Sequence, residues 1–133
     1  MDFRLARHSL TAGAFALAVS SIIATRVFKQ FSIAEVLAVA AFACGLASWL
    51  ADRSTDRLIT SGAALGLGGL CLKGIFVLLG IGAEQHDMET HQTTASNPLL
   101  IHIHHLFFNI GFLLYFAAAI RLGIRKLSTG KKQ

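Results

Sequence analysis

The chain has 133 residues, 54% of them hydrophobic and 14% charged, with a formal net charge of +5. This composition excludes an ordinary soluble domain, because the apolar residues gather in long blocks separated by short charged stretches. The basic residues are spread over the ends of those blocks rather than collected on one surface, which sets nucleic acid aside as a partner.

Four blocks approach the roughly 20 apolar residues needed to cross about 30 Å of hydrocarbon. The first, 9–28, follows Arg4 and Arg7 and contains Arg26, a side chain long enough to snorkel. Its outline is that of a secretory signal peptide. Arg26 and Lys29 at its far end, and the want of a small-x-small cleavage site in a polar setting, favour a retained helix. The second, 33–50, carries Glu35 near its start. The third, 58–83, is glycine-rich, and the four- and three-residue spacings of Gly62, Gly66 and Gly69 put them on one face, where small residues let helices approach closely. A water-soluble bundle would need a polar stripe at helical spacing on each helix, and stretches such as Ile75 to Leu79 have none.

Lys73 lies ten positions before Ala83, about 15 Å from that end of its helix at 1.5 Å per residue. An ionisable group at such a depth needs a partner or water, and Lys73 shares the glycine face, so it is expected to point into the bundle. Cys44 and Cys71 lie inside the blocks and are expected to be buried, unreactive thiols.

The loop 84–97 holds Glu84, His86, Asp87, Glu89 and His91 and no Lys or Arg. It closes with Ser96-Asn97-Pro98, a helix start with Asn as cap and Pro at the first helical position. The fourth block, 98–122, then places His102, His104 and His105 in its first turns. Five of the six histidines thus fall between His86 and His105. Asn109, eleven residues in, is about 16 Å down and level with Lys73.

These elements predict one domain over 1–133, an all-α integral membrane protein built as a four-transmembrane-helix up-down-up-down bundle. Nine basic residues (Arg4, Arg7, Arg53, Arg57, Arg121, Arg125, Lys126, Lys131 and Lys132) fall on one side of such a bundle, against Arg26 and Lys29 on the other. The positive-inside rule then puts both termini in the cytoplasm and the histidine-rich loop outside. The basic tail becomes a topology determinant and an anionic-lipid contact. Size and compactness suit a bacterial inner membrane. The expected partners are the lipid bilayer and either further copies of the chain or a larger membrane complex.

The helical spacing of the polar residues predicts two layers: Glu35, His102 and His105 outside, Lys73 and Asn109 within, with His104 turned away among the headgroups. His86, His91, His102, His105 and Glu35 are nitrogen and oxygen donors suited to zinc or copper, although no HExxH or other fixed ligand spacing is present. A proton relay through Glu35, a histidine and Lys73 would reach halfway in, with only Ser48, Asp52 and Ser61 to continue it. Haem would require a second histidine-bearing span. No nucleophile elbow or phosphate-cradling loop occurs, and with no complete catalytic set the chain reads as something other than a free-standing enzyme. The leading expectation is an accessory or transport-associated membrane protein with an external site for a transition metal or proton. The alternative is a structural or assembly subunit, with Phe107, Phe108 and Phe112 as a lipid-facing surface for a partner; a small ion or solute carrier is third.

Overall fold

The computed structural model of the protein describes residues 3–79, 84–86, 93–95 and 103–130. Four helices carry the fold: α1 (Phe3–Arg26), α2 (Phe31–Ala51), α3 (Arg57–Leu78) and α4 (Ile103–Gly130). Each includes a stretch of 21 to 27 residues long and apolar enough to cross a membrane, as an integral membrane protein requires. Two three-residue strands, β1 (Glu84–His86) and β2 (Thr93–Ala95), pair antiparallel with His86 opposite Thr93. Sequence gave no hint of this pairing, because the segment has no run of alternating apolar residues.

Helix ends depart from the apolar blocks where capping chemistry overrides hydropathy. At the start of α3, the Asp56 side chain accepts from the Leu58 N–H at 2.9 Å, which satisfies one of the first turn's orphan donors. The helix ends at Leu78, five residues short of Ala83, with Leu79 as its cap. Glycine, the residue type that most favours termination, follows at position 80. At the other extreme α4 runs past Leu122 to Gly130. The fourth block's expected first residues, 98–102, lie outside the described residues.

α1 and α2 run antiparallel. Arg7 near the start of α1 meets Asp52 just beyond α2, while Ser21 further along α1 donates to the Ala34 carbonyl at 2.6 Å. The short turn between them is tightened by Lys29, which adopts a left-handed φ of 52°. α1 lies along α2 and α4 along α3 over most of their lengths, α2 joins α3 more narrowly, and α1 and α4 barely meet. The bundle is therefore open along an α1/α4 seam.

Phe42 of α2 is the centre of the core. It is fully buried and lies against the rings of Phe112 at 5.0 Å, Phe108 at 5.5 Å and Tyr115 at 5.6 Å. Tyr115, also buried, donates its hydroxyl to the Ala41 carbonyl at 3.0 Å, and Phe15 of α1 meets it edge-on. Phe108 and Phe112 thus turn inward, against the expectation of a lipid-facing aromatic surface. Their spacing with Gly111, Tyr115 and Ala118 makes one helical stripe, and the glycines opposite leave room for rings.

A Cβ on Gly66 would run into the Phe42 ring. One on Gly62 would lie 2.8 Å from the Gly111 carbonyl oxygen, at the α3–α4 crossing. Because a backbone atom cannot swing aside, Gly62→Val should cost about 1–3 kcal/mol. Gly13→Ala, whose added Cβ meets nothing within 4 Å, should be neutral or mildly stabilising. Denaturant titration of the two variants in detergent micelles checks the contrast. Cys71, expected to be buried, is exposed on α3, and neither cysteine is in a disulfide.

Candidate functional site

The end of the bundle where α1 turns into α2 holds the charged pair. Lys73 Nζ of α3 donates to Glu35 Oε1 of α2 at 2.6 Å, a charge-assisted hydrogen bond. The pairing follows from where α3 stops. Measured from Leu78, Lys73 is about 7.5 Å from the helix end, and Glu35 about 6 Å from the start of α2 at Phe31, so the two are level. The expected two-layer arrangement, with Lys73 deep beside Asn109 and Glu35 shallow, is corrected accordingly. The side chains are 37% and 36% exposed, so both remain accessible from the bundle surface.

Beside this pair is a cleft of about 380 Å³ between α1, α2 and α4. Glu35, His105 and Asn109 line it together, with Ser21, Thr25 and Arg26 contributed by α1. Phe108 and Phe112 close its inner wall, so the aromatic core separates it from the other end of the bundle. Sequence spacing put Glu35 and His105 in one layer and Asn109 in the layer below; Arg26, Ser21 and Thr25 escaped it, because nothing in a helical count shows that the α1/α4 seam is open.

His104 is corrected in the opposite sense. It is only 4% exposed and its ring nitrogens are shielded from solvent. Its imidazole lies edge-on to that of His105 at 4.0 Å and to Phe108 at 5.8 Å. It belongs to the same stripe as Phe108, which carries it inward, while His105 is exposed. Of the other expected donors, the side chain of His86 and all of His91 and His102 lie outside the described residues. Among the described residues no three of His, Cys, Asp and Glu form a group that could hold a metal ion.

No known protein family, curated protein or solved structure matches this chain.

The opposite end is held by charges and hydroxyls that sequence spacing did not bring together. Arg7 reaches Asp52 at 2.7 Å and the Ser54 hydroxyl, and Arg121 of α4 pairs with Asp56. Buried Ser48 shares hydrogen bonds with Thr11 at 2.8 Å and Thr55 at 3.2 Å. The reach of two arginines across the bundle was not legible in the sequence.

Asp52 sits outside the spans, and its carboxyl is held below the ordinary aspartate value. The largest cause is the Ser54 backbone N–H, which donates to it at 2.8 Å; the Ser54 hydroxyl and the Arg7 guanidinium add to it. A depressed carboxyl stabilises the fold above its unfolded pKa of about 3.9, and the contribution is lost as pH falls through the lower folded value. Hydrogen exchange at Ser54 and Thr55 should therefore stay slow at pH 5 and accelerate below about pH 3.9, relative to the intrinsic rate. Asp52→Asn should remove that acceleration.

Proposed function

We propose that the protein is a small accessory or transport-associated membrane protein whose Glu35 cleft takes up a transition metal, zinc or copper. The observation that carries this reading is that Glu35 and His105, an oxygen and a nitrogen donor, line one cleft open to the bundle surface. Two donors make half a tetrahedral site. His102, three positions before His105 in the sequence, together with His86 and His91 of the loop, is the source of the remaining imidazoles. Lys73 is the resting counter-ion, which holds the carboxylate until a metal displaces it. Arg26 lines the same cleft, so affinity must come from imidazole coordination more than from net negative charge.

In this reading the helices cross up-down-up-down with both termini cytoplasmic. Arg4, Arg7, Arg53, Arg57, Arg121, Arg125 and Lys126 gather at the α2–α3 end, against Arg26 and Lys29 at the other, and this imbalance supports the orientation. The membrane is that of a bacterial cytoplasm, and the working unit is a homo-oligomer or part of a larger complex.

Zinc titration of the detergent-solubilised chain tests the role of Lys73. Glu35→Gln should weaken binding by more than about tenfold, since it removes a ligand rather than a group behind one. Lys73→Met should tighten binding, because it frees the carboxylate. Loss of zinc binding in Lys73→Met would contradict the competition.

A second reading, a structural subunit, draws on a different observation. Ser21, Ser48, Thr11, Thr55, Tyr115, Glu35 and Lys73 are all satisfied by neighbouring helices. In that case zinc and copper bind neither wild type nor variants, and the polar groups serve helix packing alone.

A further inference from the structure

We propose that the α2–α3 end of the bundle carries a second site, which takes a phosphate-bearing anion and is suited above all to the headgroup of an anionic phospholipid. A cavity of about 160 Å³ opens there between α1, the α2–α3 loop and α4. Arg7, His8 and Arg125 line it, with Thr11, Ser54 and Thr55. Pockets for whole drug-sized ligands run from about 300 Å³ upward. The cavity therefore suits a phosphate group whose remaining atoms lie outside it, and excludes an enclosed nucleotide.

The charges around the cavity favour an anion. Asp56 also lines it, but its carboxylate is taken by Arg121 and by the Leu58 N–H, and Asp52 is taken by Arg7. Arg125 has no ion pair among the described residues, so its charge is left over at the rim. Arg7 donates to His8 Nε2 at 3.1 Å. Since a guanidinium can only donate, this leaves the His8 proton on Nδ1 as a further donor. The Arg125 guanidinium and the His8 N–H thus line one small space, while the hydroxyls of Thr11 and Thr55 are already bonded to Ser48; a guanidinium and an imidazole donor together suit phosphate oxygens.

The walls favour a lipid as the source. Ile59 and Leu122 form the apolar side of the cavity. A headgroup seated on Arg125 would leave its acyl chains running past Leu122 toward the middle of the membrane. This is a defined site on α1 and α4, separate from general attraction to the basic tail at Lys131 and Lys132.

Native mass spectrometry of the full detergent-purified chain provides the test, with phosphatidylglycerol, phosphatidylcholine and inorganic phosphate offered separately. Phosphatidylglycerol should be retained, and Arg125→Ala should reduce its retention about fivefold, the worth of one basic residue at a membrane surface. Lys126→Ala, which removes the same charge one position along, should leave retention unchanged. Equal losses in the two variants would overturn the site in favour of diffuse attraction, and so would equal retention of phosphatidylcholine. Inorganic phosphate that binds wild type but not Arg125→Ala would support the phosphate site while making the free anion its source. Thermal melts of both variants should match wild type, because neither side chain holds an ion pair among the described residues.

Discussion

Phe42→Ala is expected to destabilise the bundle by about 3 kcal/mol, the largest loss from any single truncation in the core. The ring is fully buried and touches three other aromatic rings, from Phe108, Phe112 and Tyr115, as well as the space left by Gly66 and Gly111. In water the loss would include the cost of transferring apolar surface, and Phe→Ala changes run to about 5 kcal/mol. In lipid that transfer term is small, because separated helices already sit among hydrocarbon. What remains is lost dispersion across the cavity and the geometry of the ring pairs, worth about 0.5–1.5 kcal/mol each. Phe42→Leu should recover about half of the loss if packing is the cause. Reversible unfolding in mixed micelles checks both, and equal stability of the two variants would show that shape is irrelevant there.

The second large effect is expected at Glu35 and Lys73. Removing either partner leaves the other charge at the edge of the hydrocarbon, which for a fully buried pair costs about 3–5 kcal/mol. Both side chains are a little more than a third exposed, so screening lowers the expected cost to about 1–2 kcal/mol. The two single variants should differ. A stranded lysine can snorkel along its four-carbon stem, whereas a stranded glutamate reaches less far, so Lys73→Met should cost more than Glu35→Gln. The double variant should regain most of the loss, with a coupling energy of about 1 kcal/mol. Additive losses in the double variant would show that the pair does not act as a unit.

The helices were legible in the sequence because four apolar blocks are long enough to span and the turns between the first three are short. Their ends were not, and the consequence is clearest at α3. Leu78 to Ala83 remains apolar, so hydropathy runs on past the Leu79 cap, and a depth counted from Ala83 places Lys73 five residues too far in. That offset set Asn109 ahead of Glu35 as the partner of Lys73. The glycine face of α3 could be read from spacing, since close packing needs small residues whatever the partner. The ring that fills it could not, because Phe42 is one apolar residue among many on α2.

On α4 the inward stripe was present in the spacing of His104, Phe108, Gly111, Phe112 and Tyr115. The histidines at 102 and 105 drew the interior to the adjacent face. A tyrosine in a span needs a hydroxyl partner, and that requirement alone would have turned Tyr115, and His104 with it, toward α2. The clamps from Arg7 to Asp52 and from Arg121 to Asp56 join residues 45 and 65 positions apart, beyond the reach of any local pattern.

The most direct measurement of the central claim is the metal content of the purified full chain. Wild type and Glu35→Gln/His105→Ala would be given matched zinc and copper, washed, and analysed by inductively coupled plasma mass spectrometry. Near-stoichiometric metal in wild type, lost in the double variant at unchanged helicity, is the predicted result. Metal-free wild type, or metal that survives loss of both donors, would contradict the account and leave the Glu35 cleft a packing feature.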